Sequence, residues 1–121
     1  MVNPRILVTV SRQWSYISTM REVLAKVYAE QPTAVLVHGD CPQGDRLAAT
    51  IWKRLGGAEE KWPADWSKGN GGGPLRNARM VESNPDLVLS FIRGNSRGAT
   101  GTCNLAVGAG LNCVPPYRQE D

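Results

Sequence analysis

Three short runs of apolar, largely β-branched residues constrain the fold more than any other feature of the sequence. They are RILVTV at 5–10, AVLVHG at 34–39 and DLVLSFI at 86–92. Because apolar residues fill these runs with little interruption, they are typical of strands buried on both faces of a parallel sheet. A weaker strand at 58–62 and a short one at 112–114 bring the predicted sheet to about five strands.

Amphipathic helices alternate with these strands. Apolar residues recur at helical spacing over 16–30 and 46–55, and shorter helices are predicted at 75–83 and 102–109. This alternation predicts an α/β fold, a three-layer Rossmann-like sandwich with a parallel sheet of about five strands.

The length of 121 residues suits one domain, which we place at residues 1–114 with a C-terminal tail at 115–121. Hydrophobic residues make up 41% and charged residues 21%, which is ordinary for a chain with a packed core. No apolar run approaches the ~20 residues that span a bilayer, and the N-terminus does not resemble a signal peptide. We therefore expect a cytoplasmic protein without a membrane partner.

The net charge of +3 suits a small anionic ligand but is too mild to indicate nucleic-acid binding. The cysteines Cys41, Cys103 and Cys113 have no CxxC spacing, and His38 is the only histidine. We therefore expect reduced thiols, no zinc site and no cofactor. His38 ends the second strand, where it either contacts a ligand or makes a structural hydrogen bond.

The polar and glycine-rich loops all follow the carboxyl ends of predicted strands. They span 11–15, 40–45, 63–74 and 94–100, whereas the loops at the opposite edge are short. In open α/β sheets, ligands bind beyond the carboxyl ends of the strands, at the point where the strand order reverses. We therefore predict the binding site at this edge.

The sequence GNSRGATGT at 94–102 has the composition of a loop that wraps an anion. Backbone amides, hydroxyl groups and the start of the next helix can all donate to a phosphate. The stretch is neither a Walker A loop nor GxGxxG, so a solvated connection is the alternative. We predict phosphate contacts from Arg97, Gly98, Ala99 and Thr100.

Two earlier loops supply further candidates for ligand binding. Ser11 and Arg12 follow the first strand, beside Trp14, which either stacks on a ring or covers a helix. Gly39 opens the loop after the second strand. Asp45, at the end of that loop, either caps the next helix or binds a ribose hydroxyl.

The loop PADWSKGNGGGP at 63–74 is long for a compact domain, which favours a functional role. Gly72 and Gly73 let the backbone approach a ligand closely. Arg76 and Asn77 would then lie in the first turn of the next helix, at the mouth of the site.

A cation in the first turn of a helix opposes the helix dipole. We therefore expect another group to hold Arg76 in place. An anionic ligand would serve, and the alternative is an ion pair with Asp65 or Glu82.

Several segments, in this order, resemble the YspA-like members of the SLOG superfamily over residues 5–114: RILVTVSRQW, VLVHGDCPQGDRLAA, WPADW, GPLRNARMV, DLVLSF and NSRGATGTCNLA. The resemblance implies a Rossmann-like fold that binds nucleotides or nucleotide-derived molecules. The superfamily includes the LOG phosphoribohydrolases, which cleave a base from a nucleoside monophosphate, and DprA, which binds single-stranded DNA. Because LOG enzymes commonly dimerise, the resemblance allows a homodimer.

The resemblance also implies roles for individual residues. Arg76 looks like the arginine that LOG enzymes place in the helix after their glycine-rich loop, which implies a ligand or catalytic role. Residues 96–100 look like the phosphate-binding PGGxGT segment. The sequence departs from LOG enzymes near Thr102, the place that matches their catalytic glutamate, since no acidic residue lies between Asp86 and Glu120.

Glycosidic cleavage through an oxocarbenium-like transition state needs a nearby carboxylate. Asp65, Asp40 or Asp45 would have to supply it here. We therefore expect a protein that binds a nucleotide or nucleotide-derived small molecule.

Two alternatives remain from the sequence. One is an N-glycosidase acting on nucleoside monophosphates, with Arg76 and Asp65 as catalytic residues. The other is a DprA-like module for single-stranded nucleic acid, which the lack of a long basic stripe disfavours. The sequence leaves open the base, the number of phosphates and the pathway.

Overall fold

Strands and helices alternate along the chain in a computed structural model, which describes residues 3–120. The strands are β1 (Arg5–Val10), β2 (Val35–His38), β3 (Ala58–Lys61), β4 (Leu87–Arg93) and β5 (Tyr117–Gln119). The helices are α1 (Ile17–Glu30), α2 (Gly44–Leu55), α3 (Gly72–Glu82) and α4 (Arg97–Gly108). A short 3-10 helix, Trp66–Gly71, leads into α3.

The five strands form one parallel sheet in the order β3-β2-β1-β4-β5. The chain moves outward from β1 to β2 and β3, and then returns to β4 on the other side of β1. The strand order therefore reverses between β1 and β4, and this switch point is where the carboxyl ends of two neighbouring strands diverge into different loops. The predicted α/β fold and parallel sheet are confirmed.

Helices cover both faces of the sheet and make three layers. One face packs on α1 and α2 through a cluster that includes Ile6, Leu24 and Trp52. The other face packs on α3 and α4 through a cluster that includes Leu7 and Met80. Adjacent residues of β1 thus pack into cores on opposite faces of the sheet. Burial of each large apolar side chain stabilises the folded state by roughly 1.5–3 kcal/mol. This is why the strand sequences are continuously apolar.

Three helices begin earlier than predicted, α2 by two residues, at Gly44, and α3 and α4 by more. Helix α4 starts at Arg97 instead of residue 102, so most of the predicted anion loop is helical and the connection from β4 is only residues 94–96. Gly94 makes this sharp connection with a φ of 58°, a conformation that favours glycine. Helix α3 starts at Gly72 instead of residue 75, with Pro74 in its first turn, where a missing amide costs nothing.

The C-terminal end also differs from the prediction. Residues 112–114 form only a single bridge, between Val88 and Cys113, and the fifth strand lies at Tyr117–Gln119, inside the predicted tail. The Gln119 side chain accepts a hydrogen bond from the Ser15 amide at 2.8 Å and donates to the Ser15 hydroxyl at 2.7 Å. Residues 117–119 therefore form the edge of the sheet beside β4, and side-chain contacts that no sequence pattern shows help to hold this short strand.

No helix within residues 3–120 is both long enough and apolar enough to cross a membrane.

Candidate functional site

A cleft of about 960 Å³ opens at the carboxyl ends of β1 and β4. Its floor is the end of β1, and its walls come from α3 and α4. This is the switch point of the sheet, the predicted place for a ligand, and the volume is within the usual range for small-molecule sites.

The cleft is strongly cationic. Among residues 3–120, its lining includes the arginines Arg12, Arg76, Arg93 and Arg97, and its one carboxylate is Asp45. Because low-dielectric walls focus the field of such an excess of one charge, the cleft attracts small anions.

The start of α4 contributes backbone donors to this cleft. Ser96 is the N-cap residue, and in the described part of the chain no side chain caps the helix. The Thr100 amide donates to the Ser96 carbonyl at 3.2 Å, which is the first bond of the helix. The amides of Arg97, Gly98 and Ala99 therefore have no acceptor within the helix.

We call residues 94–99 the α4 rim. The Arg97 side chain there is exposed, and Gly98 and Ala99 line the cleft as predicted. Thr100 does not line this cleft; it faces a smaller neighbouring pocket of about 400 Å³, and its amide is already bonded. Of the four residues predicted to contact a phosphate, Arg97, Gly98 and Ala99 thus line the cleft with amides that have no acceptor within the helix, whereas Thr100 does not.

Arg76 is buried, with 8% of its surface exposed, although it lines the cleft. Its guanidinium donates to the carbonyls of Gly39 and Trp62, the latter at 3.1 Å, and to Cys41 Sγ at 3.4 Å. Its Nε donates to the Asn77 side chain at 2.7 Å. Among residues 3–120, carbonyls and the side chains of Cys41 and Asn77 therefore hold Arg76, and the alternative of an ion pair with Asp65 or Glu82 is wrong.

Arg76 is buried because α3 lies over the carboxyl ends of β2 and β3. The backbone carbonyls at these strand ends accept hydrogen bonds from its guanidinium. Gly39 permits this approach: a Cβ placed there would lie 2.5–2.9 Å from three guanidinium atoms of Arg76. Gly39 itself does not line the cleft, so its role is to hold Arg76. We call the group formed by Gly39, Cys41, Asp45, Trp62 and Arg76 the Arg76 corner.

Asp45 completes this corner from the first turn of α2, whose N-cap residue is Gln43. Its carboxylate accepts hydrogen bonds from the amides of Gly39 at 3.0 Å and Cys41 at 3.4 Å. The loop wraps around the carboxylate, with Asp40 and Gln43 at φ values of 56° and 71°. Burial raises the pKa of Asp45, against the lowering effect of these amide bonds and of the nearby His38 and Arg76.

Cys41 lies half-buried between Asp45 and Arg76. Its pKa is raised, first by burial and then by the Asp45 charge, with Arg76 acting in the opposite direction. A raised pKa disfavours the thiolate, so the corner does not activate this cysteine as a nucleophile.

Besides Gly39 and Thr100, the predicted site residues His38 and Asp65 also lie outside the cleft lining. His38 is completely buried; its Nδ1 accepts from the Asp40 amide at 3.0 Å, and its Nε2 pairs with Glu59 at 2.8 Å. Asp65 is exposed and caps the short 3-10 helix by accepting from the Ser67 amide at 3.1 Å. Both make local structural hydrogen bonds, and neither is among the residues that line the cleft.

The remaining predicted residues are divided between the cleft and its support. Ser11, Arg12, Gly73 and Asn77 line the cleft. The Ser11 hydroxyl accepts from the Arg93 amide at 2.9 Å and so ties the ends of β1 and β4 together. Gly72 is buried and does not line the cleft. Gly72 and Gly73 both lie in helix α3, and therefore not in a loop that closes over a ligand.

Arg93 and Trp66 are two of the lining residues that sequence reasoning did not single out. Arg93 ends β4 and donates to the Gln13 carbonyl at 2.6 Å; a basic residue at the carboxyl end of a strand was the available signal. Trp66 lines the cleft and is 59% exposed, whereas Trp14 is 5% exposed and packs edge-on against Phe91 at 5.3 Å. An aromatic residue within the glycine-rich loop after an edge strand was the signal for Trp66.

Within residues 3–120, no group of three or more His, Cys, Asp or Glu side chains is arranged to hold a metal ion.

A family model described as the YspA, cpYpsA-related SLOG family (YAcAr) matches residues 4–69. The Gene 61 protein of Mycobacterium phage D29 is 32% identical over 117 residues, which cover 91% of this chain and 94% of the phage protein. Among solved structures, an NADH-dependent reductase A1-R' responsible for alginate metabolism matches with a TM-score of 0.47 and 15% identity, over 88% of this chain. The match spans only half, 50%, of the reductase chain.

Proposed function

The chain belongs to the YspA, cpYpsA-related SLOG family, and from this premise we propose that it binds a nucleotide or nucleotide-derived small molecule in the cleft between α3 and α4. In this proposal the phosphate lies against the α4 rim. The SLOG resemblance supports the ligand class, since it implies nucleotide-related ligands.

The observation that carries the proposal is the set of helix-start amides at the α4 rim that have no acceptor among residues 3–120. The free amides at the start of α4 and the exposed Arg97 face the same cleft, and the rim brings no carboxylate of its own. Donors of this kind, at the positive end of a helix dipole, are satisfied by a phosphate oxygen. Each hydrogen bond to such a charged group contributes about 1.5–3 kcal/mol.

The lining residues outside the α4 rim also favour binding, because hydrogen bonds within the protein hold several of them in place before a ligand binds. Ser11 links β1 to β4, Arg93 is bonded to the Gln13 carbonyl, and Arg76 is held by strand-end carbonyls. Only the exposed side chains have to be ordered on binding, which limits the entropic cost.

A thermal-shift screen against mono-, di- and cyclic nucleotides, NAD and ADP-ribose tests the proposal, followed by calorimetry on the best ligand. We expect a shift with at least one phosphate-bearing compound. Arg97→Ala should weaken its binding about tenfold or more, because a charge-assisted hydrogen bond is lost. Arg54→Ala is the matched control, since Arg54 is an exposed arginine in the last turn of α2, outside the cleft.

If no compound shifts the melting temperature, or if both variants bind as the wild type does, the α4 rim is not a phosphate site. A ligand that binds Arg97→Ala and Arg54→Ala equally weakly would indicate a general charge effect instead.

Hydrolysis of an N-glycosidic bond is a second candidate, because Asp45 is a cleft-lining carboxylate with a raised pKa. A carboxyl group of raised pKa keeps its proton longer and can donate it to a leaving base. The same mixtures, separated by chromatography, test this: free base that is absent with Asp45→Asn supports an enzyme, and intact ligand supports binding alone.

A further inference from the structure

An exposed indole stands at the border of the cleft. Trp66 is 59% exposed and lines the cleft, with Gly73 and Pro74 on its own side and Leu105 contributed by α4. Among residues 3–120 that line the cleft, it is the one aromatic side chain. The ring contacts that stabilise the interior join other residues, such as Trp14 with Phe91 and Tyr28 with Trp52.

The backbone around Trp66 is well anchored although its ring is exposed. Asp65 accepts hydrogen bonds from the amide of Ser67 at 3.1 Å and from its hydroxyl at 2.5 Å, which fixes the start of the 3-10 helix. Gly72 packs directly against the Asp65 carbonyl, so this segment is attached to the start of α3. Asp65 therefore acts as a positioning residue for Trp66.

A large indole on an anchored backbone segment, open to solvent on the wall of a cationic cleft, has an exposed apolar face. Aromatic rings in such positions recognise flat partners by stacking, and the stacking tolerates any nucleobase. The cleft thus combines donors for a phosphate at the α4 rim with a planar surface for a ring.

We propose that Trp66 is the stacking surface for the ring of the ligand, so that the cleft prefers a phosphate ester that carries a nucleobase over the same ester without one. This inference rests on the proposed function and specifies its substrate class. It makes Trp66 a specificity-determining residue, whereas the α4 rim supplies affinity for phosphate that is independent of the ring.

The test compares ribose 5-phosphate with the four common nucleoside 5′-monophosphates by calorimetry. In the wild type, at least one nucleotide should bind about 5- to 150-fold more tightly than ribose 5-phosphate, the usual effect of one base–aromatic stack. Trp66→Ala should lose this preference and keep its affinity for ribose 5-phosphate. Trp66→Phe should keep most of the preference.

Two readouts separate stacking from a general structural effect. Val107→Ala is the matched control, since Val107 is an exposed apolar residue of α4 outside the cleft lining, and it should leave both affinities unchanged. Indole fluorescence should be quenched when a nucleotide binds the wild type or Val107→Ala, and the quench should disappear in Trp66→Phe.

The inference is overturned if the wild type binds ribose 5-phosphate and all four nucleotides equally well, or if Trp66→Ala keeps the preference. Those outcomes leave the phosphate site intact. If neither ribose 5-phosphate nor any compound of the thermal-shift screen binds the wild type, the proposed function itself fails, and this inference fails with it.

Discussion

The Arg76 corner and the α4 rim border the same cleft, yet they are built in opposite ways. In the corner, the guanidinium of Arg76 is buried and donates to backbone carbonyls and to Cys41. At the rim, Arg97 is exposed beside helix amides that no described side chain caps.

The two arginines differ because the strand ends at the Arg76 corner and the helix start at the α4 rim leave different backbone groups unpaired. The carboxyl ends of β2 and β3 present carbonyl oxygens, which are acceptors, so an arginine there is satisfied by the protein itself. The start of a helix presents N–H donors, and an arginine beside it adds more donors. Only an acceptor from outside, such as an anion, satisfies such a group. One arginine therefore serves the fold and the other is available to a ligand.

The largest expected effect is on stability, from Arg76→Ala. Its removal leaves the carbonyls of Gly39 and Trp62 without the guanidinium donor and takes a positive charge away from the buried Asp45, at a cost of about 3 kcal/mol in the free energy of unfolding. Urea denaturation measures it. Arg97→Ala is the control and should stay within about 0.5 kcal/mol of the wild type.

If Arg76→Ala fails to fold, Arg76→Lys keeps the comparison testable. Lysine retains the charge but cannot donate to both carbonyls with the same fork, so an intermediate loss is expected. Equal stability of the Arg76 and Arg97 variants would contradict the assignment of separate roles.

A smaller effect on stability is expected from substituting one glycine in the Arg76 corner and one at the α4 rim. Gly39→Ala places a methyl group within 2.5–2.9 Å of the Arg76 guanidinium and should cost about 1–3 kcal/mol. Gly98→Ala is the matched control, because nothing lies within 4 Å of a Cβ at that position. Being in a helix, it should be neutral or up to about 1 kcal/mol more stable.

Thermal melting of both variants, with and without the nucleotide found in the screen, checks this difference. Gly98→Ala should melt no lower than the wild type and still lose affinity, because its methyl group occupies space in the cleft. A Gly39→Ala protein with wild-type stability would show that the corner adapts freely.

The smallest effect concerns pH. Because burial raises the pKa of Asp45 above its ordinary value of 3.8, the folded state binds this proton more tightly than the unfolded state. The associated stability is present below the unfolded pKa and is lost as the pH rises through the folded pKa. Across about pH 3 to 7, the melting temperature of the wild type should therefore fall relative to that of Asp45→Asn.

Glu60→Gln is the control of opposite sign. The hydrogen bond from Arg5 lowers the pKa of Glu60, so its contribution is present above the ordinary value of 4.5 and is lost as the pH falls. Glu60 is partly exposed, and its effect should be small. If the melting temperatures of the two variants, each relative to the wild type, change with pH in the same direction, the raised pKa of Asp45 is contradicted.

The sequence predicted the architecture well because burial on both faces leaves a direct pattern in each strand. The runs at 5–10 and 86–92 identified β1 and β4, and the loops that follow them supplied Ser11, Arg12 and Arg97, which do line the cleft. Helix starts were less predictable, since small residues such as Gly98 are compatible with either a loop or a first helical turn. Strand β5 was missed because three residues show no clear periodicity.

The sequence by itself determined the parallel sheet, the edge at which its polar loops gather and the excess of positive charge there, because periodicity and composition are local properties of the chain. Only the tertiary structure decided which polar groups the protein uses for itself. His38 meets Glu59, Asp65 caps a 3-10 helix, and Arg76 meets the carbonyls of two strands. Those partners come together only when the chain folds, and a buried donor or acceptor that finds a partner within the protein is no longer available to a ligand.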